Sequence, residues 1–153
     1  MSEVLETTAG KFRFRIPTDR LYSSEGTWVL AEEHEGTRRI RVGLSDFLQQ
    51  HSGDAAFVAV KPLGTKVEAG DELVELETIK VTLSLVAPVA GTVVEINAAL
   101  ESSPEVVNQD PYGDGWLAVI EPTNWDADRG KLLEPTAYLS IMQAEIAREL
   151  EKP

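Results

Sequence analysis

Eight short strand-like runs follow one another along the chain, and this succession constrains the fold more than any other feature. Each run is rich in apolar or β-branched residues and is bounded by Gly, Pro, Asn or Asp. The runs cover residues 11–16, 27–31, 38–44, 55–61, 72–77, 81–87, 91–96 and 115–121. This spacing is typical of an antiparallel sandwich or barrel. We therefore predict a mainly β fold.

Two of the runs also predict how their strands are buried. Residues 39–42 alternate polar and apolar side chains, as a half-buried strand does. Residues 57–60 are apolar at every position, which predicts a central strand that is covered on both faces.

Two helical segments interrupt the strand pattern. Ser45 is a candidate N-cap for a short inserted helix in which Asp46 favours the first turn and Gly53 ends the helix. Near the C-terminus, Thr136 can cap a second helix over about residues 136–150. Its apolar side chains recur at helical spacing: Leu139, Met142, Ile146 and Leu150. We expect this helix to pack on the sheet as a lid.

The charge balance restricts the classes of partner. The chain has 153 residues with 14 Lys+Arg against 26 Asp+Glu, a formal net charge of −12. This length suits one domain over residues 1–153. An acidic chain without a basic cluster is a poor partner for nucleic acid or for an anionic membrane. We expect neither partner.

The composition also restricts the chemistry. The chain has no cysteine, which excludes disulfides, thiolate nucleophiles and cysteine-ligated zinc. His34 and His51 are the two histidines, too few for a three-histidine metal site. We predict no metal, although the composition leaves a site made only of carboxylates open. The acidic N-terminus lacks the features of a signal peptide, and the apolar runs are too short to span a membrane. We therefore expect a cytoplasmic protein.

The most informative stretch is a hairpin whose tip lies near Lys80. The β-branched residues Ile79 and Val81 flank this lysine, and no Gly, Asn or Pro marks the turn. These neighbours restrict the conformation of the turn and leave the amine exposed. Such a turn suits an enzyme that must modify one lysine and ignore the others. Glu75 and Glu77 add negative charge that would help such an enzyme find the site. The alternative is that Lys80 is an ordinary exposed lysine on a solvated hairpin.

A short internal repeat surrounds this hairpin. Residues 67–76 and 88–96 each contain a glycine followed by an apolar strand. Gly70 lies ten residues before Lys80, and Gly91 lies eleven residues after it. If the repeat is real, the two glycines form matching turns on either side of the hairpin.

Three segments together resemble one known family. These are residues 77–81 (Glu-Thr-Ile-Lys-Val), residues 87–97 and residues 107–117, the last of which contains Asn-Gln-Asp-Pro-Tyr-Gly-Asp-Gly-Trp. The chain resembles the H protein of the glycine cleavage system over about residues 28–138. The resemblance implies a barrel-sandwich hybrid with added helices, in which the hammerhead core covers about residues 27–122. It also implies that lipoic acid is attached to Lys80 in amide linkage and that the protein is a carrier, not an enzyme.

The residues beside the lysine separate two kinds of carrier. Biotin carriers share this hairpin but usually have methionine on both sides of the lysine, whereas Ile79 and Val81 stand here. Lipoic acid is therefore the expected group, and a lipoate ligase or transferase would load it. We expect six residues to shape the hairpin or its recognition by that enzyme: Gly70, Glu77, Thr78, Ile79, Val81 and Gly91.

Three positions depart from the usual family pattern. Thr27 stands before Trp28 where the family has Glu, Phe47 replaces His or Tyr, and residues 81–85 after the lysine are more apolar than usual. A lost carboxylate would disfavour an aminomethyl load, although Glu25 could compensate for it. These changes are similar to the H-protein-like lipoate-binding proteins of sulfur oxidation, which act with a heterodisulfide-reductase-like complex. The sequence therefore favours an arm that carries sulfur intermediates or electrons.

Other functions remain open at this point. The first is the glycine cleavage H protein itself, whose arm carries an aminomethyl group between glycine cleavage enzymes that include a dihydrolipoamide dehydrogenase. The second is an unmodified scaffold. An enzyme that uses a carboxylate pair is a third class, but no spacing nominates the pair. We expect a monomer, because exposed docking surfaces would be needed for partner enzymes.

Overall fold

A computed structural model describes residues 3–9 and 12–151, which form eleven strands and five helices. The strands are β1 (Val4–Ala9), β2 (Phe12–Pro17), β3 (Leu21–Tyr22), β4 (Thr27–His34), β5 (Thr37–Leu44), β6 (Ala55–Val60), β7 (Lys66–Val67), β8 (Glu72–Thr78), β9 (Thr82–Val86), β10 (Gly91–Ile96) and β11 (Ala118–Pro122). The helices are α1 (Asp46–Ser52), α2 (Ala99–Ser102), α3 (Val106–Gln109), α4 (Trp125–Arg129) and α5 (Pro135–Glu151). The predicted mainly β fold is confirmed.

The strands of the described residues pair into three antiparallel sheets. Strands β1 and β2 form a hairpin of their own. The largest sheet has the order β3-β4-β5-β11-β10-β7, and a three-stranded sheet has the order β6-β8-β9. The three-stranded sheet contains the hairpin of β8 and β9, which carries the candidate lysine at its tip.

The two larger sheets share one apolar core. The six-stranded sheet contributes buried side chains such as Ile40, Val42 and Ile120, and the three-stranded sheet contributes Leu76 and Leu85. Burial of these side chains removes apolar area from water on both sheets at once, which stabilises the sandwich. The base of the hairpin is therefore fixed in the core.

A second core lies between α5 and the N-terminal strands. Six buried side chains form it: Phe14, Ile16, Tyr22, Trp28, Tyr138 and Met142. The rings of Tyr22 and Tyr138 stack with their centroids 4.7 Å apart. The predicted packing of the C-terminal helix on the sheet is thus confirmed, and Leu139 and Ile146 add to the contact. The side chain of Leu150 lies outside the described residues.

The two helix starts differ in how well the sequence predicted them. At α1, the Ser45 hydroxyl accepts a hydrogen bond from the Leu48 amide, and Gly53 ends the helix with φ of 91°, as predicted. At the C-terminal helix, the prediction that Thr136 is the N-cap is wrong, because α5 begins at Pro135. Proline suits the first helical position, where its missing N–H would have no partner within the helix.

The prediction of a central, doubly covered strand at residues 57–60 is also wrong. Strand β6 is at the edge of the three-stranded sheet. Val58 points into the core, whereas Phe57 is 54% exposed on the outer face. An apolar run shows which residues are hydrophobic, but it does not show whether a second layer covers the outer face of the sheet.

The two glycines of the internal repeat do not form matching turns. Gly70 has a φ of 98° and lies in the turn before β8, where its N–H donates to the Ala87 carbonyl. Gly91 begins strand β10, and a Cβ added there would lie 2.2 Å from the Glu121 carbonyl oxygen. Gly70 therefore provides a left-handed turn, whereas Gly91 permits the close approach of β10 to β11.

In the described part of the chain, no helix combines the length and the apolar character needed to cross a membrane.

Candidate functional site

Lys80 lies at the exposed tip of the β8–β9 hairpin. The two strands are in antiparallel register up to the pair Glu77 and Thr82, which leaves a tip of residues 79–81 beyond the last described strand pairs. Ile79 is 76% exposed and Val81 is 44% exposed. The expected hairpin with an exposed lysine between two exposed β-branched residues is therefore present.

The Thr78 hydroxyl holds the turn that contains Lys80. Its Oγ1 lies 3.1 Å from the Lys80 amide and 3.0 Å from the Val81 amide, and it accepts a hydrogen bond from each. The Thr78 amide in turn donates to the Val81 carbonyl at 2.8 Å. A threonine hydroxyl can replace the backbone partners of a tight turn, so this turn needs no Gly, Asn or Pro.

Thr78 also anchors the turn to the loop between α1 and β6. Its hydroxyl donates to the Ser52 carbonyl at 2.7 Å, and Thr78 itself is buried. The neighbouring Ile79 amide donates to the Asp54 carbonyl at 3.2 Å. The lysine turn is thus attached to residues 52–54 by two hydrogen bonds, and its backbone position follows that of this loop.

The hydrocarbon stem of Lys80 lies across Gly53. A Cβ built on Gly53 would be 3.2 Å from Cε of Lys80 and 3.4 Å from its Cγ and Cδ. Gly53 also has φ of 91° and ψ of −174°, a region that side-chain-bearing residues rarely adopt. Glycine therefore suits the backbone at this position, and an added methyl group would press on the lysine stem.

The outer face of the three-stranded sheet is acidic next to this turn. Glu77 lies between Phe57 of β6 and Thr82 of β9, and Glu75 lies two residues before it on the same exposed face. Among the described residues Lys80 forms no ion pair. The amine is therefore free for an approaching enzyme, and the nearby carboxylates face the same solvent.

Gly70 and Gly91 are not brought to the lysine turn. The Gly70–Ala87 hydrogen bond closes the opposite end of the hairpin, about 20 Å from the tip at the usual strand rise. Gly91 lies further along, in the six-stranded sheet. The structure thus brings together four of the six predicted hairpin residues, namely Glu77, Thr78, Ile79 and Val81.

Two of the positions that depart from the family pattern, Thr27 and Phe47, pack against other parts of the fold. Thr27 is buried, whereas Glu25 is exposed in the preceding turn. The Phe47 ring packs edge-on against Phe14, with centroids 5.5 Å apart, and stacks on His51. Phe47 therefore contributes to the second core.

Sequence reasoning missed two residues that support the turn. Asn108 lies in α3, and its side-chain amide binds the Gly53 carbonyl and the Ala55 amide. Gly53 was predicted only as the end of a helix. Both residues act through contacts between segments that are distant in sequence. Asn108 begins the segment Asn-Gln-Asp-Pro-Tyr that carries the family resemblance, but the sequence does not show what its side chain contacts.

The histidines and tyrosines lie in other surroundings. His34 pairs with Glu35 at 3.8 Å on an exposed hairpin, and His51 pairs with Glu149 at 3.0 Å. The described residues contain no group of three or more His, Cys, Asp or Glu side chains suited to a metal ion. Burial raises the pKa of all three tyrosines, that of Tyr138 to about 12.

Comparison with known proteins gives one family. A sequence profile described as glycine cleavage H-protein matches residues 20–145. The glycine cleavage system H protein of one strain of Thermus thermophilus is 38% identical over 130 residues, covering 85% of this chain and 98% of its own. The corresponding protein of Mycolicibacterium smegmatis is 41% identical over 129 residues, with coverages of 83% and 96%.

A solved structure gives the same result. The crystal structure of a glycine cleavage system H protein from Mycobacterium marinum superposes with a TM-score of 0.71 at 34% sequence identity. The match covers 82% of this chain and 97% of that one. The residues matched by the profile include the lysine hairpin, α1 and α3, the helix that contains Asn108.

Proposed function

Because the chain belongs to the glycine cleavage H-protein family, we propose that it presents a lipoyl group in amide linkage on Lys80. H proteins of this family are non-catalytic carriers that act with partner enzymes, and they hold lipoate on a lysine. The observation that supports Lys80 as the attachment site is its position at the hairpin tip. There the exposed lysine lies on a hydrogen-bonded turn and forms no ion pair with the described residues.

The residues at the tip fit an amide-linked group. Amide formation removes the charge of the amine, and no described carboxylate is paired with Lys80 that would lose its partner. The lysine stem rests on Gly53, so the modified end extends from a supported base. When bound, the lipoyl group supplies a dithiolane that accepts electrons or a small group on sulfur, and the protein supplies presentation.

We also propose that the enzyme that loads lipoate recognises the surface around the turn. Ile79 and Val81 present exposed apolar groups beside the lysine, and Glu75 and Glu77 present negative charge on the adjacent face. A lipoate ligase or transferase with a basic rim would be attracted to this face. In this proposal Thr78 acts by shaping the turn. Gly70 and Gly91 act from a distance, by shaping the base of the hairpin and the sheet next to it.

For the group that the arm carries, the comparisons favour the glycine cleavage alternative over the sulfur pathway. The relatives described above are glycine cleavage H proteins, and none of them links the chain to a heterodisulfide-reductase-like complex. We therefore propose an aminomethyl load and glycine cleavage enzymes as partners. Sulfur transport stays a second candidate on one observation, the buried Thr27 at the position where the family has a carboxylate.

Mass spectrometry of protein from its native host tests the attachment site. We expect a single lipoyl adduct that peptide mapping assigns to Lys80. The Lys80→Arg variant should lose the adduct and all carrier activity, while its circular dichroism and its free energy of unfolding stay within about 0.5 kcal/mol of wild type, as is usual for an exposed position. Unmodified Lys80 in cells whose other lipoyl proteins are loaded would contradict the proposal and favour an unmodified scaffold.

Reconstitution distinguishes the two loads. We expect purified lipoylated protein to accept an aminomethyl group from glycine, with release of CO2, in the presence of glycine decarboxylase. A protein that this enzyme ignores, but that a heterodisulfide-reductase-like complex reduces or oxidises, would instead establish the sulfur pathway.

A further inference from the structure

The side chain of Asn108 connects α3 to the loop that carries the lysine turn. Its Nδ2 donates to the Gly53 carbonyl at 2.9 Å and to Oε1 of Gln49 at 3.2 Å. Its Oδ1 accepts from the Ala55 amide at 2.9 Å. One half-buried amide therefore binds the residues before and after Asp54, and it uses both its donor and its acceptor.

The segment that Asn108 binds is the one on which the lysine turn rests. Ser52 and Asp54 supply the two carbonyls that accept hydrogen bonds from Thr78 and Ile79. Gly53, between them, lies under the stem of Lys80. Asn108 binds the carbonyl of Gly53 directly, so its hydrogen bonds and those of the lysine turn meet within three consecutive residues.

We propose that Asn108 is a positioning residue for Lys80, which fixes the 52–54 loop and thereby holds the lysine turn in the conformation that the lipoate-loading enzyme binds. This inference rests on the proposed function, because it concerns how the proposed attachment site is presented. The described hydrogen bonds of Asn108 reach Gln49, Gly53 and Ala55 and not Lys80, so Asn108 acts through the loop. Without it, the loop and the turn would sample several conformations, and only a fraction would be competent for binding.

This role predicts a particular kinetic effect. When only a fraction of the carrier molecules has the conformation that the ligase binds, the apparent affinity of the ligase for the carrier falls by that fraction. The rate at which the bound complex reacts does not change. We expect the KM of a lipoate–protein ligase for the Asn108→Ala carrier to rise about tenfold, with kcat within about twofold of wild type. Asn108→Asp should behave in the same way, because it keeps the acceptor for the Ala55 amide but loses the donor to Gly53.

Asn97 provides a matched control. It is buried, its Nδ2 donates to the Asp114 and Trp116 carbonyls at 2.7 Å, and its Oδ1 accepts from the Ala99 amide. None of these hydrogen bonds reaches the 52–54 loop. Asn97→Ala should therefore lower the Tm at least as much as Asn108→Ala and leave the KM for the ligase unchanged.

The experiment uses the full chain, purified ligase, lipoate and ATP, at a temperature well below the Tm of every variant. A second readout is amide hydrogen exchange at Ile79, which we expect to accelerate about tenfold in Asn108→Ala and to stay at the wild-type rate in Asn97→Ala. Equal effects of the two substitutions on KM and exchange, or a lower Tm with no change in either, would overturn the positioning role.

The two readouts also separate this inference from the proposed function. If wild-type protein is not lipoylated on Lys80, the proposed function fails. Hydrogen exchange at Ile79 needs no modification, so it still decides whether Asn108 orders the lysine turn.

Discussion

The hydroxyl of Thr78 contacts both the lysine turn and the supporting loop. In Thr78→Val the amides of Lys80 and Val81 and the carbonyl of Ser52 lose a partner, although the shape of the side chain is kept. We expect a loss of about 1–3 kcal/mol in the free energy of unfolding, because the buried hydrogen bond to the Ser52 carbonyl is lost and this carbonyl is left unsatisfied. Urea denaturation measures this loss. Thr78→Ser keeps the hydroxyl and should recover most of it, whereas equal losses in the two variants would contradict the role of the hydroxyl.

Gly53 combines a backbone requirement with a packing requirement. In Gly53→Ala the positive φ costs about 1–3 kcal/mol, and the new methyl group displaces the stem of Lys80. We expect lower stability and slower lipoylation, measured by thermal unfolding and by a ligase assay. Gly36→Ala is the matched control, because Gly36 has φ of 81° with nothing within 4 Å of the added Cβ. It should lose stability but keep the wild-type rate, and an equal slowing in both variants would contradict the contact with Lys80.

For individual residues, the sequence predicts that Lys80 is exposed but does not predict which residues support its turn. Lys80 follows from its place between two β-branched residues in an apolar hairpin, and the structure has it exposed at the tip. The roles of Thr78, Gly53 and Asn108 depend on the approach of α1, the β8–β9 hairpin and α3. That approach is a property of the folded chain, and spacing along the sequence does not encode it.

The residue that caps the start of helix α1 also contacts helix α5. The Ser45 hydroxyl accepts from the Leu48 amide and lies 2.8 Å from the Tyr138 hydroxyl, so it joins α1 to α5. We expect Ser45→Ala to cost about 2 kcal/mol or more, the upper end of the range for N-caps, because the buried Tyr138 hydroxyl also loses its partner. Urea denaturation provides the measurement.

The cap of α4 is the matched control for this prediction. Asn124 accepts from the Ala127 amide at 3.3 Å on an exposed surface. Asn124→Ala should cost about 1 kcal/mol or less, because water can replace the lost partner. If the two substitutions cost the same, the Ser45–Tyr138 contact does not stabilise the packing of α5 on α1.

Long elements were predictable and very short ones were not. Six of the strand-like runs agree with a described strand to within one residue at both ends. The run 27–31 ends three residues before β4 ends, and the run 115–121 begins three residues before β11. Strands β3 and β7 have two residues each and the helices α2 and α3 four each, too few to establish a hydrophobic period. Strand β1 has mostly exposed side chains, so its pattern lacks an apolar face. These elements are set by pairing and packing with the rest of the chain.

At the scale of the whole molecule, the net charge of −12 and the acidic face beside Lys80 act together. If the partner enzymes are basic near their active sites, this surface would steer them toward the hairpin, and it would disfavour association between copies of the chain. The monomeric state, the single domain over residues 1–153 and the cytoplasmic location stay predictions from the sequence.

The three tyrosines predict how the whole molecule responds to alkaline pH. Tyr22, Tyr112 and Tyr138 contribute to or pack against the second core, and burial raises the pKa of each above its ordinary value of 10.0. The folded protein thus keeps phenol protons that the unfolded chain releases. Stability is unaffected below about pH 9. Above about pH 10 the free energy of unfolding falls by about 1.4 kcal/mol per pH unit for each phenol that is protonated only in the folded state.

We therefore expect tyrosinate absorbance and loss of circular dichroism to rise together in an alkaline titration, since the phenols ionise mainly when the second core opens. The contribution of Tyr138 saturates near its folded pKa of about 12. Tyr138→Phe should reduce the pH dependence of unfolding above pH 10 by about a third, because one of three linked protons is removed. This slope is the quantity to measure, since the substitution also removes the hydrogen bond to Ser45 and lowers stability at every pH. Tyrosinate absorbance with a midpoint near pH 10 in protein that keeps its native circular dichroism would show that water reaches the second core in the folded state.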